Sequence, residues 1–137
     1  MANAIAKTLA DDLLNWVKGT TFTAAPANLY VGLFSTTPTA NTGSGTEVSG
    51  SSYARQTVAS TAWSAISQNA DTIHDQITNS NPITFPAVTT TGYTVVGVGV
   101  WDASSAGNLL MYQAVTSQAV AVGNQYSIAS GALALEF

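Results

Sequence analysis

Apolar residues at the start of the chain recur every three or four positions. Ile5, Leu9, Leu13 and Trp16 line one stripe, which Leu14 and Val17 widen. That period predicts an α-helix over residues 1–18 with a face that must be buried, on the chain's own sheet or on another chain. Asn3 is the expected cap, Lys18 suits the negative C-terminal dipole, and Gly19 suits the position just past the helix end.

After Gly19 the texture changes to short runs with a period of two. Residues 20–28 form a polar connector containing Pro26, and residues 29–34 read as a strand with Leu29, Val31 and Leu33 on one face. Residues 35–52 read as a long loop rich in Ser, Thr and Gly, a length at which loops tend to be functional or disordered. Residues 53–59 form a second strand, with Tyr53, Arg55 and Thr57 alternating against Ala54, Gln56 and Val58, and Trp63 belongs to a short strand or edge. Residues 71–78 fit either a helical turn or a polar strand, because Ile73 and Ile77 are four apart. Residues 83–85 are a short strand closed by Pro86.

The clearest strand is 94–101. It places Val96, Val98 and Val100 on one face and Gly97 and Gly99 on the other with Val95 and Trp101, leaving room for a neighbour to approach closely. Strands at 109–115, 119–122, 125–129 and 132–137 follow, with tight turns at Gly123-Asn124 and Ser130-Gly131. About eight turn-punctuated strands after one helix predict a mainly β protein, an antiparallel, jelly-roll-like β-sandwich. The expected organisation is one domain over residues 1–137, with the helix at 1–18 and a β-sandwich at 29–137 that carries the loop at 35–52.

Composition narrows the function. Of 137 residues, 7% are charged, against about 25% in an average soluble domain. The three basic residues, Lys7, Lys18 and Arg55, are too few and scattered for the basic stripe that a nucleic-acid partner requires. With no cysteine and one histidine, His74, disulfides, thiolate metal sites and paired imidazoles are excluded. Apolar runs fall far short of the roughly 18 residues of a membrane span, and no signal-peptide pattern opens the chain. Ser and Thr together supply 33 residues and Ala another 22. Neutral hydroxyls cost less to desolvate than charges, so such a surface suits an assembly subunit as well as a Thr-rich β-domain.

Candidate chemistry is sparse. His74 lies between Asp71 and Asp75 among many serines, but no G-x-S-x-G elbow accompanies it. Asp71 and Asp75 would have to flank a cleft to cleave a glycoside. Asp71, Asp75, Asn79 and Asn81 lack the spacing of a calcium loop. Gly43-Ser44-Gly45 lacks the lysine of a phosphate loop. Each is better read as a solvated turn, and no catalytic residue, metal site or cofactor is expected. Trp16, Trp63, Trp101 and Tyr93 are either a sugar platform or core and interface anchors. The lone arginine is more informative. Arg55, eight residues after Glu47 across the loop, is expected to pair with it and tie the loop base down.

Leu29-Tyr30-Val31-Gly32-Leu33-Phe34-Ser35-Thr36-Thr37-Pro38, then Gly45-Thr46-Glu47-Val48-Ser49-Gly50 and Tyr53-Ala54-Arg55-Gln56, resemble a family of small phage virion proteins. Thr84-Phe85-Pro86, then Val98-Gly99-Val100-Trp101-Asp102-Ala103 with Gly107-Asn108-Leu109-Leu110, and finally Gly131-Ala132-Leu133 extend the likeness over nearly the whole chain. The departures are mild: Trp101 stands where Phe is common, and the Thr-rich loop differs in length among members. Members are labelled tail-fibre-like, head-decoration or cement proteins, so the resemblance implies a structural role in the virion without catalysis.

The leading expectation is therefore a head-decoration (cement) protein that binds the major capsid protein and itself, as a dimer or trimer. The alternatives are a tail-associated fibre, adaptor or baseplate subunit bound to tail proteins, and a glycan-binding module using Trp63 or Trp101. The expected contact residues are Ile5, Leu9, Leu13 and Trp16 on the helix and Thr46, Glu47 and Val48 in the loop.

Overall fold

A computed structural model describes residues 4–39 and 45–137. Among the described residues the fold is mainly β with one α-helix, and every strand pairing is antiparallel. The strands are β1 (Ala4–Ile5), β2 (Asn28–Thr36), β3 (Thr46–Glu47), β4 (Gln56–Ala59), β5 (Ser67–Gln68), β6 (Asp75–Thr78), β7 (Ile83–Thr84), β8 (Tyr93–Trp101), β9 (Leu109–Val120), β10 (Ser127–Ile128) and β11 (Ala134–Glu136). The helix α1 spans Lys7–Val17. The main sheet runs β1-β9-β8-β2-β3, with β4 also on β2. β11-β6-β5 and β10-β7 form two smaller sheets. No helix among the described residues is long and apolar enough to cross a membrane.

The start of the chain departs from expectation. Ala4 and Ile5 pair with Tyr112 and Met111, and the Ala6 N–H donates to the Leu110 carbonyl (2.8 Å), so the helix starts only at Lys7. Ile5 is thus a residue of an edge strand and not part of the helical stripe; its four-residue offset from Leu9 suits both. The expected cap, Asn3, lies outside the described residues. The other end matches its sequence signal. Gly19 adopts φ +89°, its N–H donates to the Trp16 carbonyl (2.9 Å), and that of Thr20 donates to Asn15 (2.9 Å), which is a Schellman stop.

In the centre of the main sheet, β8 pairs with β2 through Val100↔Val31 and Val98↔Leu33. A bulge between Val95 and Gly97 shifts the register against β9. It turns the fully buried Val95 toward the core beside Val98 and Val100, in place of the half-buried Val96 that strict alternation predicts. Phe85, Val88, Ile128 and Leu133 pack against this face from the smaller sheets and turns. Residues 109–120 form one bulged strand where two were expected, and within residues 71–78 the strand β6 follows a turn. The 35–52 segment is shorter as a loop than expected: β2 continues to Thr36 and β3 returns onto it, while residues 40–44 lie outside the described residues.

One buried polar side chain fastens the C-terminal part. Asn79 is 1% exposed. Its amide donates to the carbonyls of Asn81 (2.8 Å) and Ala129 (2.9 Å), and its Oδ1 accepts from the Leu133 N–H (2.9 Å). Replacing it removes the partner of the buried Leu133 N–H and of the Asn81 and Ala129 carbonyls. Asn79→Ala is expected to lower the unfolding free energy by about 3 kcal/mol, read by urea denaturation; a loss below about 1 kcal/mol would mean that the cavity rehydrates freely.

Candidate assembly interface

Two regions carry the residues singled out from the sequence: a cluster around Arg55, and the helix.

The cluster is built on a floor of glycine. Gly32 and Gly99 are directly paired on β2 and β8, and the Trp101 ring lies over them, stacked on Phe34 at 5.1 Å between centroids. A Cβ on Gly99 would come within 2.6 Å of both rings, and one on Gly32 within 2.8 Å of Trp101 and 2.6 Å of the Tyr53 hydroxyl. The Arg55 guanidinium lies 4.1 Å above the Trp101 ring. Its Nε and Nη2 donate to the two oxygens of Glu47, both at 2.7 Å, and its Nη1 donates to the carbonyls of Ala103 and Ala106, both at 2.8 Å. The Asp102 side chain shapes the turn that presents those carbonyls by accepting from the Asn108 N–H (2.7 Å) and Nδ2 (2.8 Å).

Tyr53 completes the arrangement. Its hydroxyl donates to Glu47 Oε1 (2.9 Å) and accepts from the Leu33 N–H (2.8 Å), filling the gap on β2 between β3 and β4. Burial first, and the neighbouring Glu47 carboxylate after it, push the phenol well above its usual range, so it stays a donor at any physiological pH. Farther along, the hydroxyl of Ser51 donates to the Thr91 carbonyl (2.8 Å) and accepts from its N–H (3.0 Å).

Glu47 and Arg55 are therefore together, and the Arg55 side chain is 7% exposed. This corrects the loop part of the expected contact set. Val48 is a core residue, fixed there because its N–H donates to the Leu33 carbonyl (2.9 Å), and Glu47 is occupied internally; of the three only Thr46 is exposed. Trp101, at 5% exposure under Arg55, has no free ring face for a sugar, and Trp63 is half-buried against the core. Asp71 accepts from the N–H of Ile73 (2.8 Å) and His74 (3.2 Å), and its other oxygen lies 2.8 Å from His74 Nδ1. These bonds, that from Ile73 foremost, hold its carboxyl well below the usual carboxylate range. The arrangement is an exposed turn that satisfies itself.

The helix differs. Leu9 rests on the core and α1 touches β9, but no helical residue is fully buried. Its C-terminal half stands clear of the body: Leu14 is 63% exposed, Trp16 60% and Val17 74%, and Leu13 is also exposed. Phe22, in the connector, is exposed beside Trp16, and an open cleft of about 730 Å³ separates helix and connector from the 102–110 turn. Phe22 was missed in the sequence; a lone aromatic within a polar connector was the available signal.

Residues 4–136 match the family model described as "Podophage GP4 fiber I protein gp80". The chain belongs to this family. It is accordingly a phage structural protein and a component of the virion. No curated protein matches it. The family's description names a fibre, which favours the tail-associated alternative over head decoration.

Arg55→Ala is expected to cost this fibre-family protein about 3 kcal/mol, since it leaves Glu47 without its counter-ion and two carbonyls without their side-chain donor. Arg55→Lys should recover less than half of that loss, because an ammonium cannot bridge both carboxylate oxygens while stacking on Trp101. Full rescue by lysine in thermal or urea unfolding would reduce the cluster to a simple charge pair.

Proposed function

We propose that the chain is a subunit of a tail-associated fibre, placed in the particle by protein–protein contact and performing no covalent chemistry. The single observation that carries this reading is the family match over residues 4–136 to a fibre protein. Two features of the molecule support it. The surface is neutral, with a net charge of −4 spread over 137 residues and one of three cations turned inward, so little charge must be desolvated when it meets a neighbour. The helix and connector present apolar side chains that the body leaves uncovered, as expected where another chain completes the surface. The expected contact residues Leu13 and Trp16 lie in this region, whereas Leu9 anchors the helix to the body.

Copy number and location test the reading. Quantitative mass spectrometry of purified particles should find a few tens of copies or fewer, following the tail fraction and missing from tailless heads. Hundreds of copies on tailless heads would restore head decoration.

A further inference from the structure

We propose that the groove between β4 and β7 takes up an extended, uncharged segment of another virion protein, which pairs backbone to backbone with both strands. The inference rests on reading the chain as an assembly subunit, but not on where in the particle it sits.

The two strands are edges that face each other without meeting. They are braced at both ends of the groove. At one end the Ser80 N–H donates to the Ala62 carbonyl (2.8 Å). At the other the Tyr53 and Phe85 rings lie nearly parallel, with centroids 6.0 Å apart. These braces make β4 and β7 run in opposite senses along the groove. Between them no strand pairing joins β4 to β7, and a cleft of about 470 Å³ opens instead. The buried Asn79 holds the Asn81 carbonyl (2.8 Å), so the β7 wall is fixed before anything binds.

The walls offer backbone groups in a fixed phase. The Ser60 N–H donates to the Ala27 carbonyl (3.3 Å), so along β4 it is Gln56 and Val58 that bond to β2. Thr57 and Ala59 therefore turn their N–H and C=O groups away from β2, on the groove side. On β7 the Phe85 N–H donates to the Tyr126 carbonyl (2.9 Å), so Ile83 bonds to β10 and Thr84 turns outward. Pro82 adds a carbonyl but no N–H, which ends the ladder on that side. Among the described residues no hydrogen bond takes up these outward groups. A strand laid between the walls, antiparallel to one and parallel to the other, satisfies both rows at once.

The side chains say which kind of strand fits. Val58 and Ile83, both buried, form the floor with Ala62, so every second residue of the guest meets an apolar surface. No Asp, Glu, Lys or Arg lines the groove, so a charge directed into it would go unpaired. A second copy of this chain is a poor donor, since each described strand already has a partner in its own sheets. The free edge of β9 is a poorer acceptor, because its bulge breaks the ladder.

The probe is an acetylated, amidated pentapeptide alternating threonine and valine, long enough to span the four residues of β4. Titrated into the full-length protein, it should shift the amide resonances of Thr57, Ala59 and Thr84 with a Kd on the order of 1 mM. Thr57→Pro removes an outward N–H and no bond to β2; it should weaken binding about fivefold or more while the thermal transition is kept. The same peptide N-methylated at its valines should not bind, which tests the ladder without altering the protein and decides the matter if the proline variant does not fold. In intact virions the three amides should exchange about tenfold or more slower than in the isolated chain. No shift up to about 10 mM peptide, undiminished binding by folded Thr57→Pro, or undiminished binding of the methylated peptide would each overturn the proposal. So would amides as fast in the virion as in the isolated chain. Protection that appears in the isolated chain as its concentration rises would assign the groove to a second copy and overturn it too. None of these results bears on copy number or tail location, so this inference and the fibre reading fail separately.

Discussion

Arg55 organises one face of the main sheet. Its guanidinium satisfies Glu47 and two turn carbonyls at once, and its flat face covers Trp101. Two separate segments depend on that one group: the β3 return, 8 residues before Arg55, and the turn after β8, 48 to 51 residues after it. A buried charge without partners is prohibitively costly, so the partners must be fixed in place, and the sequence devotes Tyr53, Asp102, Asn108, Gly32 and Gly99 to fixing them. The cluster therefore serves as a structural rivet that uses charge inside the protein.

That inward use has a consequence outside. Lys7 is committed to Asp11 in its own helix, and Arg55 is buried, so most of the surface is hydroxyl, amide and methyl. Such a surface neither steers a partner over distance nor resists contact, and its recognition must come from shape and apolar cover. The projecting half of α1 supplies the apolar part. The sheet is cross-tied through Arg55, while the helix is held at Leu9 and leaves Leu14, Trp16 and Val17 exposed.

Much of this was legible in the residues, for identifiable reasons. Alternating Gly97 and Gly99 announced a close approach, which proves to be the Phe34 and Trp101 rings lying flat on the sheet. The scarcity of charge made Glu47 the natural partner of Arg55, and Gly19 marked the helix end. What escaped depends on tertiary pairing. Ile5 keeps helical spacing with Leu9 but is captured by β9, and Val48 reads as loop until its N–H finds Leu33. The bulge at Val95 leaves no trace in a run where every second residue is Val or Gly. Nor could periodicity say whether the helical stripe faces inward or outward, because a core face and an interface have the same pattern.

Cover of α1 by another protein chain, and not by the body of this one, would slow its amide exchange only in the particle. Amide hydrogen exchange along residues 7–18 tests it, comparing the isolated chain, dilute enough to be monomeric, with intact virions. The expected result is fast exchange in the isolated chain and strong protection in the particle, while β8 and β9 are slow in both. Helix amides equally protected in the isolated chain, or equally unprotected in the virion, would contradict it.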